Sequence, residues 1–202
     1  MIRILAGLFL SFSLSFNATG QQPAPQLLKE PANWAFERFQ LPPVFAPSFP
    51  YRGVEELRFS PGMFDKGSTN YFTYAFAAQL DSTSSMPADS IRDYLLTYFK
   101  GLCNSTANDR KLVIDTSKIT VSVEKKKGAP GTEIYNALLN IFGVFADGAA
   151  VKLNMEIKVL QYARIKKTYL IFIASPREKT DSVWKQLYKI QQNFTVPVGL
   201  DK

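Results

Sequence analysis

Four prolines within nine residues, 42–50, constrain the fold of this chain more than any other feature of its sequence. Proline has a fixed φ and no backbone N–H to donate, so this stretch can form neither a helix nor a central strand. Six aromatic residues are interleaved with these prolines: Trp34, Phe36, Phe39, Phe45, Phe49 and Tyr51. So many rings exposed together would leave a large apolar patch. We therefore predict that residues 34–51 form an extended strap laid across the domain, with the first four rings substantially buried.

The first 20 residues have the organisation of a secretory signal peptide. Arg3 provides a short basic region, residues 4–16 are apolar, and small residues at Ala18 and Gly20 suit a signal peptidase. The apolar run is shorter than the roughly 20 residues that span a bilayer. We therefore predict cleavage after Gly20 and an exported protein, periplasmic or secreted, that does not span the membrane.

The rest of the chain has the composition of one globular domain, because 46% of the 202 residues are apolar and 13% are aromatic. We assign residues 21–30 to a flexible mature N-terminus and residues 31–202 to a single α+β domain. Cys103 is the one cysteine in the sequence, so no intramolecular disulfide can form. Its place in an apolar helical pattern predicts a buried thiol.

Hydrophobic periodicity predicts the secondary structure. Strands are indicated at residues 54–60, 71–80, 118–125, 133–142, 150–160 and 168–174, and helices at residues 87–103 and after Asp181. Residues 168–174 are apolar on both faces, which is typical of a central strand. Short connections between strands favour an antiparallel meander. We predict an α+β fold in which a sheet of about six strands has both helices on one face and the strap on the other.

Four sequence runs resemble a group of small exported bacterial proteins without an assigned function. These are ERFQLPPVFAP at residues 37–47, GVEELRFSPGMF at 53–64, YFTYAF at 71–76 and an SP-x7-W pattern at 175–184. The resemblance covers most of the chain after the predicted leader and implies no catalytic residues. The order of elements is also similar to the PsbP type of domain in photosystem accessory proteins, which implies an accessory or binding role.

The sequence contains no histidine, which removes Ser-His-Asp and Cys-His catalysis and histidine-ligated metals. We assign no catalytic residue, no metal site and no cofactor. The net charge of +7 is uneven, because residues 101–202 hold 16 basic and 9 acidic side chains. This asymmetry indicates either a solvated basic face or an anionic partner. The partners considered are an anionic envelope polymer, a lipid surface or a protein, and not nucleic acid. The basic side chains in question are Lys125, Lys126, Lys127, Lys152, Lys158, Arg164, Lys166 and Lys167.

Paired carboxylates are the first catalytic pattern to consider, and two neighbouring glutamates occur on the predicted strand at residues 54–60. Glu55 and Glu56 are adjacent, so they must point to opposite faces of the sheet and cannot form a glycosidase pair with each other. If Glu55 faces the strap, its buried carboxylate would need a donor such as Arg38, Arg52 or a backbone amide. A Ser–Lys dyad has no supporting motif at a helix start.

The best candidate for a ligand site lies where the strap meets the strand at residues 54–60. Glu56 and Arg58 are two residues apart and share a face, which suits an ion pair, a small polar site or a solvated surface. We predict that Glu56, Arg58 and Tyr74 converge there beside the ring of Trp34, because ligand sites combine an apolar wall with a few polar groups.

Two functions remain open at this point, and whether the protein is an enzyme is undecided. The leading hypothesis is a non-catalytic exported accessory or binding protein of the cell envelope. The alternative is a hydrolase that acts on an envelope polymer through carboxylates or a Ser–Lys pair. A deep pocket with perturbed carboxylates would favour the hydrolase, and a shallow aromatic groove would favour the binding protein.

Overall fold

A computed structural model describes residues 25–83, 85–127 and 133–196 of the chain, so the predicted signal peptide lies outside the described residues. The described residues form seven strands and two α-helices. In chain order these are β1 Ala35–Leu41, β2 Gly53–Phe59, β3 Tyr74–Leu80, α1 Ala88–Arg110, β4 Thr120–Lys125, β5 Glu133–Phe142, β6 Ala150–Tyr162, β7 Lys167–Ser175 and α2 Val183–Gln192. Neither helix is long and apolar enough to cross a membrane.

All seven strands belong to one antiparallel sheet with the order β1-β2-β3-β7-β6-β5-β4. Two meanders, β1–β3 and β4–β7, join along β3 and β7, and α1 connects the first meander to the far edge of the second. The α+β class and the antiparallel sheet are confirmed. The sheet has one strand more than expected because β1 is the first half of the predicted strap. Its position at the edge of the sheet allows Pro42 to follow it directly.

The two helices cover opposite faces of the sheet, which corrects the prediction that they share one face. Along β3, Phe76 and Ala78 pack in the core under α1, whereas Ala75 and Ala77 pack in the core under α2. The central strand β7 alternates in the same way, with Phe172 on the α1 side and Ile171 on the α2 side. Strands that are apolar on both faces need a hydrophobic cover on each, and the two helices supply it.

The second half of the predicted strap, residues 42–51, lies against α1 and not on the opposite face. We call it the proline loop. The Phe45 ring meets Tyr98 with centroids 5.0 Å apart, and the Phe49 ring meets Tyr94 at 4.6 Å. Gly101 of α1 allows this approach, because a Cβ there would lie 2.5 Å from the Phe45 carbonyl oxygen.

Burial of the four strap rings is confirmed only in part. Trp34 is buried, and Phe39 and Phe45 are half-buried. The prediction is wrong for Phe36, which is 40% exposed. Phe36 lies on the edge strand β1, and its ring is covered by the guanidinium of Arg58, 4.5 Å from the ring centroid.

Residues 27–34 pack on the α2 side of the sheet, and we call them the N-terminal arm. Leu27 and Leu28 are 5% and 2% exposed and lie in the same hydrophobic cluster as Trp34 and Leu187 of α2. The flexible terminus predicted for residues 21–30 is therefore wrong at these two leucines. Their burial offsets the loss of chain freedom in the arm.

Cys103 is buried on α1, as predicted. Its Sγ lies 3.8 Å from the carbonyl oxygen of Phe142, and burial raises the pKa of the thiol to about 11. Such a thiol is an inert part of the core.

Candidate functional site

The side chain of Glu56 binds the main chain of the N-terminal arm. Its Oε2 accepts hydrogen bonds from the backbone N–H groups of Leu27 at 2.8 Å and Leu28 at 2.9 Å. Its Oε1 accepts from Nη1 of Arg38 at 2.9 Å. The carboxylate is fully buried because the arm lies over this face of β2, while Arg38 reaches it from the neighbouring strand β1. Three donors, one of them charged, compensate for its removal from water.

Arg58 also binds the arm, but it donates hydrogen bonds to carbonyl groups, whereas Glu56 accepts them from N–H groups. Its Nε and Nη2 donate to the carbonyl oxygen of Leu28 at 3.1 Å and 3.0 Å, and its Nη1 donates to the carbonyl oxygen of Trp34 at 3.2 Å. The side chain is 6% exposed. Burial lowers the pKa of Arg58, and the charges of Glu56 and Glu30 oppose that shift. We call Glu56 and Arg58 the clamp, since together they bind both N–H and C=O groups of one segment.

The structure brings together three of the four predicted site residues. Glu56, Arg58 and the main chain of Trp34 meet at the arm. Tyr74 does not join them. It pairs with Phe59 in the sheet register and packs in the α1-side core, so it lies on the opposite face from the clamp. The prediction that Tyr74 joins the site is therefore wrong. Tyr74 lies opposite Phe59, which is next to Arg58 on β2, and neighbouring residues of a strand point to different faces.

Glu55 points to the α1 side, so the prediction that the two glutamates face opposite ways is confirmed. It is fully buried, and its donors are hydroxyl groups of α1 and not the arginines or amides considered above. Tyr98 Oη donates to Oε1 at 2.7 Å, and Tyr94 Oη donates to Oε2 at 3.0 Å. Burial raises the pKa of Glu55 to about 8, although both tyrosine hydrogen bonds act to lower it and Glu37 raises it slightly. Glu55 is therefore mostly protonated at neutral pH.

A cleft of about 660 Å³ opens between the N-terminal arm and α2. Its apolar surface comes from Leu27, Leu28, Ile190 and Phe194, each less than 10% exposed. The remaining lining residues are Lys29, Glu30, Pro31, Lys185, Gln186, Lys189, Asn193 and Thr195. Three exposed lysines therefore accompany a single acid among the described residues that line the cleft.

Helix α2 was predicted from the sequence, whereas this cleft was not. The helix predicted after Asp181 is present, and its apolar residues Val183, Trp184, Leu187 and Ile190 are buried. Two signals could have indicated the cleft. One is the Leu27-Leu28 pair within a polar stretch, and the other is the pair of lysines four residues apart, Lys185 and Lys189.

The basic residues of the second half are partly neutralised and do not form one compact group. Lys125 pairs with Glu133, and Lys126 pairs with Glu156 at 3.1 Å. Lys167 pairs with Asp81. Lys152 lies six residues before Lys158 on β6, which is about 20 Å along a strand. These contacts favour a distributed basic surface.

Comparisons with protein-family models, with curated proteins and with solved structures find no match in any of the three. The resemblances noted from the sequence therefore stay predictions. Within the described ranges, no group of three or more His, Cys, Asp or Glu side chains could hold a metal ion. The clamp and the cleft are therefore the features of the molecule that bear on its function.

Proposed function

We propose that the protein is an exported, non-catalytic binding protein whose cleft receives an amphipathic anion, meaning an apolar chain that ends in a carboxylate or phosphate. The observation that carries the proposal is the composition of the cleft, with an apolar floor and three lysines around it. Its volume of about 660 Å³ is typical of small-molecule sites. Export is supported by the leader-like sequence at residues 1–20.

The apolar floor would contribute most of the binding energy. Burial of each methylene group of a ligand chain against Leu28, Ile190 and Phe194 is worth about 0.8 kcal/mol. The stems of Lys185 and Lys189 extend this apolar surface while their ammonium groups reach water. A ligand whose chain lies on the floor would then meet the lysines with its charged end.

Charge around the cleft supports an anionic ligand. Lys29, Lys185 and Lys189 outnumber Glu30 among the lining residues. The ring of Phe194 lies 6.0 Å from that of Tyr169, two residues after the start of β7. The turn before β7 holds Arg164 and Lys166, so these two cations lie at the same end of the sheet. A cluster of like charges near a cleft attracts anions and speeds their association.

The clamp fixes one wall of the cleft. Because Glu56 and Arg58 bind the main chain of the arm, Leu27 and Leu28 are already in place before a ligand arrives. A wall that is ordered in advance lowers the entropic cost of binding. The two residues predicted to touch a ligand are therefore proposed to be positioning residues.

The hydrolase alternative has less support. The cleft offers one carboxylate, Glu30, to a mechanism that uses two. Glu55, the carboxyl whose pKa burial raises to about 8, faces the α1 side, whereas the cleft lies on the α2 side. These two observations favour binding over hydrolysis as the role of the cleft.

Titration with dodecanoate and with dodecanol tests this proposal. We expect dodecanoate to bind more tightly, and the double substitution Lys185→Ala and Lys189→Ala to weaken it at least tenfold, since a charged hydrogen bond contributes about 1.5–3 kcal/mol. Isothermal titration calorimetry measures both ligands under the same conditions. Dodecanol binding should change little.

The matched control is the double substitution Lys152→Ala and Lys158→Ala, which removes the same charge from two residues of β6 that do not line the cleft. It should leave dodecanoate binding unchanged. Equal losses in both variants would show that net charge, and not the cleft, attracts the anion. Equal affinity for the acid and the alcohol would contradict the role of the lysines.

A further inference from the structure

The buried carboxyl of Glu55 and the proline loop are linked through two tyrosines of α1. Tyr94 and Tyr98 donate their hydroxyl hydrogen bonds to Glu55. The same two rings lie beneath the loop, where Phe49 contacts Tyr94 and Phe45 contacts Tyr98, both edge to face. A change at the carboxyl therefore acts on the groups that support the loop.

None of the titratable groups that shift the pKa of Glu55 is a cation. From α1 these groups are Tyr94 and Tyr98, and from β1 there is Glu37. Glu55 in turn raises the pKa of Tyr74 on β3. The loop contributes Tyr51, whose pKa is raised by burial and then by the charge of Asp93. Tyr51 in turn adds to the raised pKa of Tyr94. All of these groups are neutral or acidic, so an ionised Glu55 would gain stability only from hydroxyl donors or from water.

Of the elements that separate Glu55 from solvent, the proline loop can move most easily. Its internal backbone hydrogen bonds are local, from Ala46 N–H to the Pro43 oxygen at 2.9 Å and from Phe49 N–H to the Ala46 oxygen at 3.0 Å. The loop is attached to α1 by the ring contacts of Phe45 and Phe49 and by its close approach to Gly101. In contrast, α1 buries Ile91, Leu95 and Phe99 completely. Water would therefore reach Glu55 at the lowest cost by displacing the loop.

We propose that Glu55 is a proton-binding site that controls the proline loop, which stays closed while the carboxyl holds its proton and opens when that proton passes to water. The ionised carboxylate is then hydrated, and Tyr94 and Tyr98 lose the rings above them. Because burial raises the pKa of Glu55 to about 8, the transition falls slightly above neutral pH.

The substitution Glu55→Gln tests the proton site, because glutamine has the shape of the protonated acid and does not titrate. The pKa is about 8 in the folded state and 4.5 in the reference state, so the unfolded chain releases a proton that the folded chain keeps. Between these values the folding equilibrium constant should fall about tenfold per pH unit from this group alone. Urea unfolding from pH 5 to pH 9 measures this slope. Glu55→Gln should remove it, whereas Glu124→Gln, at an exposed position on β4, should keep it.

Cleavage by chymotrypsin after Phe45 tests the movement of the loop in the full-length folded chain. With rates corrected by a model substrate at each pH, we expect cleavage of the original protein at this bond to rise roughly tenfold from pH 7 to pH 9. The Glu55→Gln protein should show no such rise. An unchanged pH slope of stability in Glu55→Gln would show that Glu55 is not the proton site. Loss of the slope without cleavage specific to Phe45 would show that the loop does not respond to it.

Discussion

Glu55 and Glu56 show how the surroundings of a side chain decide its chemistry. The two residues are adjacent on β2, and both are completely removed from water. Glu56 meets two backbone N–H groups and a guanidinium, which stabilise its charged form. Glu55 meets two neutral hydroxyls, and desolvation dominates. One strand therefore holds a charged anchor on one face and a titrating acid on the other.

Replacement of Glu56 by alanine should destabilise the fold strongly. The change leaves the N–H groups of Leu27 and Leu28 and the side chain of Arg38 without this acceptor. Each buried N–H group left without an acceptor costs about 1–3 kcal/mol, whereas Arg38, whose side chain is 27% exposed, can still reach water. Urea denaturation measures the free energy of unfolding, with Glu124→Ala on the exposed face of β4 as the control. A loss below about 1 kcal/mol would show that the carboxylate does not hold the arm.

Elements pack at the distances that their smallest residues allow. The proline loop reaches α1 only because Gly101 has no side chain, and a Cβ at this position would also lie 2.8 Å from Cβ of Ala46. The loop then places Phe45 and Phe49 on the tyrosines of the helix. A glycine inside a helix costs stability, and in this protein the cost is offset by the packing of the loop.

Gly101→Ala should lower stability even though alanine favours helix by about 1 kcal/mol. The new methyl group must displace backbone atoms of the loop, and such overpacking typically costs about 1–3 kcal/mol. The control is Lys100→Ala, at the exposed neighbouring position of the same helix. Thermal unfolding of both variants measures the difference. A more stable Gly101→Ala protein would contradict the close contact described here.

For the whole molecule, the chain before β2 contributes to both cores. The arm adds Leu27, Leu28 and Trp34 to the α2-side cluster, and the segment after it adds Leu41, Ala46 and Phe49 to the α1-side cluster. It also supplies β1, the edge strand beside β2. A small part of the sequence therefore ties both layers to the sheet.

Deletion of residues 21–50 should accordingly lower the melting temperature by roughly 10 °C or more, because each kcal/mol is worth about 2–4 °C in a chain of this size. Circular dichroism during heating measures the shift. Deletion of residues 21–26 alone ends before Leu27 and serves as the control. A melting temperature that is unchanged by the longer deletion would show that the arm and the loop do not stabilise the fold.

The local elements of this protein follow from the pattern of its residues alone. The alternation along β6 and the two-sided apolar pattern of β7 placed both strands correctly, because a strand's own side chains report which of its faces is buried. The burial of Cys103 followed from the helical pattern in the same way. The prolines excluded a helix from residues 42–50, and the structure has none there.

Which segment covers each face of the sheet, and which group each buried polar side chain contacts, depends on tertiary packing. Tyr98 lies 43 residues from Glu55, and Leu27 lies 29 residues from the carboxylate of Glu56 that binds it. The cleft joins residues from the two ends of the described chain, at 27–31 and 185–195. Periodicity shows that a face must be covered but carries no information about which distant segment covers it. That choice depends on the combined packing of all the elements, so the α2-side position of the arm, the donors of Glu55 and the cleft appeared only in the folded molecule.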